Sequence, residues 1–320
     1  MSDAANPSNA SIPVEGVLRD ELAHGDAVLG TVAPILGHLV TNSGNALFSD
    51  QVVAHIRGTA ESMATQLLGA QATAAEIEDP LAFVSHRKPD LAADLLADNS
   101  FLSHCHALTV EAQLATRLEQ RNAIDLVLSP LLQALISSDD PETASLAMAA
   151  LAAQARFVQQ QKRMELSIND LPGDLFHSVL LIWRNFAATD PDQIVAQAEM
   201  QLRSVYDESA SRVGLLSRLV SGMGNGALAA LSLSHAGVAI FLTALAKSLG
   251  QSRDIATMST NDRQLGRLAL ALRAAGLKPR QVEEQFVHIH PEVALPEGFE
   301  MLRIDKAAEI LAESAGRMAG

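Results

Sequence analysis

The sequence predicts an all-α, multi-helical fold, and three observations carry that expectation. Aromatic residues make up only 3% of the 320 residues, with one Trp and one Tyr, so side chains that favour strands are scarce. Alanine, about one residue in six, is enriched beside Leu and Gln, all of which lose little on entering a helix. Apolar positions recur at helical spacing, and an apolar content of 48% is enough to fill a substantial core.

Residues 1–13, MSDAANPSNASIP, have neither a basic start nor an apolar centre and read as a short disordered tail. Helices are expected at 14–24 and 26–41, the second kinked or split by Pro34. Ser49 precedes DQVVAHIRGTAESMATQLLGA, where Val52, Ile56, Ala60, Met63 and Leu67 line one stripe; this amphipathic helix completes an N-terminal helical segment, 14–70. Residues 71–89, irregular and carrying Pro80 and Pro89, read as a linker. A central helical region, 90–221, follows, with helices at 90–97, 100–121 and 124–137, the last divided at Pro130. Asp140-Pro141 and Asp190-Pro191 each read as a helix start, the Asp capping free N–H groups and the Pro occupying a first turn whose N–H has no partner to lose. The helix after Asp140-Pro141 runs toward Leu166, another spans 172–188, and DQIVAQAEMQLRSVYDESASRVGLLSRLV after Asp190-Pro191 forms one helix or two in sequence. The C-terminal helical region, 222–320, holds an apolar helix at 227–249 and further helices at 262–275, 279–288 and 305–318, with Gly276 ending one and Pro279 starting the next.

The run from Leu219 to Ala246 contains no Asp, Glu, Lys or Arg. Its glycines, Gly222, Gly224 and Gly226, lack the Gly-Lys-Ser/Thr ending of a phosphate loop and follow a helical pattern where such loops follow a strand. Residues 227–246 are long enough to span a bilayer, yet His235 sits near the centre, where an ionisable group is most costly, and Arg218 and Lys247 flank both ends. A helix apolar all round without lipid belongs in the middle of a helical protein, so 227–249 reads as the axis of the fold and no membrane span is expected. His235 is then a core histidine hydrogen-bonded toward Ser232.

Sliding the chain by 50 residues lays PLLQALISSDDPETASLAMAAL over LLIWRNFAATDPDQIVAQAEMQL, so that Leu131 falls on Leu181, Ile136 on Phe186, Asp140 on Asp190 and Pro141 on Pro191. Each unit is a helix, an Asp-Pro turn and a second helix. Over residues 131–151 and 181–202 this resembles HEAT-type helical repeats, in which paired antiparallel helices stack into a solenoid. The resemblance implies HEAT-like helical pairs around the apolar helix and a protein-binding scaffold. The basic residue such repeats often carry after the turn is absent from Thr143 to Ser145.

A net charge of −14 argues against nucleic acid, whose binding is driven by Lys and Arg on phosphates, and acidic surfaces disfavour anionic membranes. A single cysteine, Cys105, excludes an internal disulfide and multi-cysteine zinc sites, and fits a reducing cytoplasm. Candidate ligands are the histidines. His104, Cys105 and His106 are consecutive on one helix, where neighbours diverge by about 100°, so the two imidazoles do not face one metal. His288 and His290 could offer two nitrogens if Pro291 holds the segment extended, with Glu284 or Glu292 as carboxylate. Asp174 and His177 stand three apart on a helix, as in carboxylate-bridged di-iron bundles, but no second copy of the motif exists. His-Glu-x-x-His, Gly-x-Ser-x-Gly and paired Cys-x-x-Cys motifs are absent. The leading expectation is a non-enzymatic interaction or regulatory protein whose partner is another protein. The alternative is a metal- or small-molecule-binding helical protein, or an enzyme, using His104, Cys105, His106, His177, His235, His288 and His290 gathered by the fold. No cofactor and no particular metal is indicated.

Overall fold

The computed structural model describes residues 14–41 and 50–318, so the expected tail at 1–13 lies outside the described residues. Among the described residues the chain is all-α, with no strand. In order it forms α1 (Val14–Thr41), α2 (Asp50–Ala74), α3 (Pro80–Ala97), α4 (Asn99–Asn122), α5 (Pro130–Ile136), α6 (Pro141–Lys162) and α7 (Gly173–Phe186). There follow α8 (Asp192–Val205), α9 (Arg212–Gly222), α10 (Leu233–Leu249), α11 (Arg253–Met258), α12 (Leu265–Ala274), α13 (Pro279–Ile289) and α14 (Ile304–Met318). No helix among the described residues is long and apolar enough to cross a membrane.

Several helix starts are set by side-chain caps. Asp79, Asp98, Ser129, Asp140 and Ser252 each accept a hydrogen bond from the third residue onward, and Pro80, Pro130 and Pro141 fill first-turn positions. Asp190 departs from the expected pattern. Pro191 occupies the cap of α8 with no side-chain cap bond, while the Asp190 carboxylate accepts from Gln71 at 2.9 Å and Arg87 at 2.7 Å. A guanidinium and an amide together hold the carboxylate better than two backbone N–H groups that solvent can satisfy. Gln71 in turn accepts from the indole N–H of buried Trp183 at 3.2 Å, so Asp190 serves the packing of α2, α3 and α7. The two Asp-Pro turns therefore match in sequence and differ in structure: α5 lies on α6, whereas α7 packs on α3 and α8 on α2.

Three expectations need correction. Residues 71–89 are mostly helical: α2 continues to Ala74 and α3 begins at Pro80, leaving only a short turn between. Pro89 sits inside α3 on the exposed side, where water can take the carbonyl that its missing N–H leaves free. Likewise α1 runs unbroken through exposed Pro34. The apolar helix expected at 227–249 is divided. A 3-10 stretch covers Gly224–Leu231, Ser232 turns extended, and α10 carries a non-helical Gly237 with φ 69° and ψ 167°. Cβ at Gly237 would stand 3.0 Å from the Ser129 Cβ, so this bend and its close approach need glycine. The buried N–H of Leu233 donates to Gln285 Oε1 at 2.8 Å, which satisfies the restarted helix. Beyond the bend, Val238 to Ala246 are buried, so the centrally placed apolar segment is real but shorter than expected.

The apolar side chains gather in two cores. One holds Leu114, Leu118, Ala150, Leu216, Phe241 and Leu270; the other holds Ile56, Leu67, Leu95, Phe101, Phe176 and Trp183. Three helices thread both. On α1, Leu22 belongs to the first core and Leu36 to the second; on α4, Leu114 and Leu108; on α6, Ala153 and Phe157. Where these helices pass from one core to the other they carry polar side chains: Asp26 on α1, Glu111 on α4 and Gln154 on α6. A polar seam thus separates the cores, and it positions the site.

Candidate functional site

The centre of the seam is Glu111, 1% exposed. Arg212 from α9 and Arg253 from α11 approach it as two forks, with N–O distances of 2.8 and 2.9 Å for the first and 2.6 and 2.7 Å for the second. Four N–H donors saturate the carboxylate. Gln154 accepts from Arg212 at 3.1 Å, the Arg212 guanidinium lies 3.6 Å over the Phe157 ring, and Arg253 also donates to the Thr243 hydroxyl at 3.1 Å. Burial pushes the Glu111 carboxyl upward, but the Arg212 and Arg253 charges and their hydrogen bonds outweigh it and hold the group well below the usual carboxylate range. A carboxylate so engaged is an ionised strut, with no lone pair left for a substrate proton.

Beside the strut, Asp254 follows Arg253 on α11 and turns the other way. Its Oδ2 lies 2.8 Å from His104 Nδ1. Because a carboxylate only accepts, Nδ1 carries the proton, and Nε2 is left buried without a partner. Asp254 and His106 line a cleft of about 750 Å³ between α1, α4 and α11. Its walls are apolar, from Ala27, Leu29, Val32, Ala33, Ile255 and Met258; its polar groups are Asp26, Asp254, His106 and Ser103. Asp26 is held by Arg267 and accepts from the Ser314 hydroxyl at 2.8 Å, while Arg267 donates to Ser314 at 3.0 Å. The cleft continues along α1 into a space of about 350 Å³ that shares Leu29, Val32, His106 and Met258 and reaches Gln264. Burial pushes the His106 imidazole down to about 4, so it is neutral at pH 7. The charged groups on the cleft wall are therefore the carboxylates of Asp26 and Asp254.

Of the expected site residues, the structure brings His104 and His106 to this seam. Adjacent Cys105 is 1% exposed, and burial, then the charge of Asp254, push its thiol well above its ordinary range, so it packs as an apolar side chain. His177 is exposed on α7, its Nδ1 3.4 Å from Arg203. His235, expected in the core, is half-buried, because Ser232 and Gly237 break the run that would have enclosed it; its backbone N–H donates to the Ser232 carbonyl. His288 stands in the last turn of α13, and His290 follows as its C-cap with non-helical φ −134° and ψ 68°. His288 Nδ1 and His290 Nε2 are buried without partners, and burial followed by the Arg117 charge lowers the His290 imidazole. Among the described residues, no group of three His, Cys, Asp or Glu is placed to hold a metal ion.

Glu111, Gln154, Arg212, Arg253, Asp254 and Asp26 were not singled out from the sequence. Glu111 lies 101 residues from Arg212 and 142 from Arg253, and charged residues at helical positions look the same whether they face solvent or each other. One local signal was present: Gly250, Ser252 and Asp254 spell a helix end followed by a capped start, which marks α11. Set against models of known protein families, curated proteins and solved structures, the chain matches none significantly.

Proposed function

We propose that this is a non-enzymatic regulatory protein that binds a small molecule in the cleft between α1, α4 and α11. The observation that carries the reading is the cleft's composition: about 750 Å³ of mainly apolar wall with a few convergent polar groups, the usual anatomy of a small-molecule site. Asp254, bonded only to His104, keeps acceptor lone pairs on the cleft wall, so the complementary ligand has an apolar body and an N–H or ammonium end. The chain's net charge of −14 favours such a ligand over an anionic one. Regulation rather than turnover is favoured because the candidate acid–base groups are engaged: Glu111 by two guanidiniums and Asp254 by His104. In this reading the output passes to a protein partner through α1 and α11, which come from distant parts of the chain and close on the same ligand.

The test is thermal unfolding in the presence of amphipathic amines, alcohols and carboxylates of matched size. A ligand of the folded state at about 100 times its Kd adds about 2.7 kcal/mol of stability. The reading expects the amines to raise Tm most; equal effects of all three classes, or no shift, would contradict it.

A further inference from the structure

A second cavity, of about 520 Å³ and lined by Glu111 itself, opens between α2, α4 and α6. We propose that it is a separate binding site for a small organic anion with an apolar body.

Its charge balance is the first reason. Glu111 is the one carboxylate among the lining residues, and its oxygens are filled by Arg212 and Arg253. Two cations also line the cavity, Arg117 from α4 and Lys162 from α6, and neither has a carboxylate within ion-pair distance among the described residues. In a chain of net charge −14, two exposed cations outside any ion pair on one cavity are a concentrated positive feature. Arg117 is partly desolvated, and burial together with the like charge of Arg121 works against its charged form, with Asp262 only partly opposing; an anion in the cavity would relieve this.

An unpaired donor is the second. Gln161, 7% exposed, lines the cavity, and its Oε1 lies 2.9 Å from His55 Nε2. With the imidazole N–H donating to Oε1, the amide NH2 remains, and Gln161 Nε2 is buried without a hydrogen-bond partner. A buried donor left unmade costs about 1–3 kcal/mol, which a ligand oxygen would return. Leu126, Val158, Met164 and Val238 supply apolar wall for the ligand's body. A purely inorganic anion would leave that wall uncovered.

The experiment is equilibrium titration of the full chain with phenyl phosphate and with benzoate, using benzyl alcohol as the neutral counterpart. Either anion binding saturably at one equivalent, with benzyl alcohol at least about tenfold weaker, supports the site. Phosphate and carboxylate ends are distinguished by which of the two binds tighter. Arg117→Gln and Lys162→Gln lie at exposed positions and are expected to fold; combined, they should weaken the preferred anion by about tenfold, as should Gln161→Leu. Absence of saturable binding by both anions, equal binding of benzyl alcohol, or affinity unchanged by the Arg117→Gln/Lys162→Gln pair overturns the proposal. Thermal shifts by amines at the first cleft are read independently, so either site can fail alone.

Discussion

Glu111 decides how the two cores are joined, and its replacement is the sharpest residue-level probe. Glu111→Gln leaves Arg212 and Arg253 buried without a charged partner, and breaking a buried ion pair from one side costs about 3–5 kcal/mol. Denaturant unfolding should register a loss of that size; a change within experimental error would mean the cluster relaxes into solvent. The carboxyl is held below its ordinary value of 4.5, so its contribution is complete above that pH and is lost as the pH falls toward the depressed value. Glu111→Gln should therefore flatten the stability curve below about pH 4.5. His106 acts in a different window. Its imidazole, lowered from 6.5 to about 4, is neutral in the fold and must be protonated in the unfolded chain first. Stability is then intact above pH 6.5 and falls between pH 6.5 and 4, by up to about 3 kcal/mol. His106→Leu should reduce the slope in that interval, where His290 and His55, also lowered by burial, carry the remainder, and an unchanged slope in the variant would assign it to those groups.

At the scale of elements, the helices were legible because their signals are local. Asp140 caps the helix that follows it, and the stripe of Val52, Ile56, Ala60, Met63 and Leu67 is buried as its spacing implies. The misreadings share one cause, a tertiary contact outweighing a local rule. Asp190 leaves its capping role for Arg87 and Gln71, and the apolar run at 227–249 bends at Gly237 to bring α10 against Ser129. Gly237→Ala tests that bend. A φ of 69° with ψ 167° is strained for any side chain, and the new Cβ would meet Ser129, so a loss of about 2–3 kcal/mol is expected from denaturant unfolding. A neutral effect would show that α10 can straighten. The short α11 was missed because a six-residue helix carries too little periodicity to register, although it delivers both Arg253 and Asp254.

For the whole molecule, the arrangement of two cores threaded by α1, α4 and α6 implies one cooperative unit. Trp183, the sole tryptophan, is fully buried in the second core, whereas helical circular dichroism reports both. Their thermal transitions should coincide; a separate earlier transition by either probe would mean that the seam is a weak joint between independent units. The seam itself was beyond sequence reasoning. The histidine triplet pointed to the right stretch of α4, but the partners, Asp254 for His104 and the α1 wall facing His106, come from parts of the chain far apart in sequence. What most directly tests a ligand cleft there is fluorescence titration with N-phenyl-1-naphthylamine, an apolar arylamine with one N–H donor, in the wild type and in Gly30→Phe. Gly30 lines the cleft and a Cβ there meets nothing within 4 Å, so a bulky side chain can be introduced at the cleft wall without a clash at its root. Saturable binding by the wild type, weakened at least about tenfold by Gly30→Phe, is the expected result. Binding of equal strength in both proteins, or none in the wild type, would contradict a small-molecule site between α1, α4 and α11.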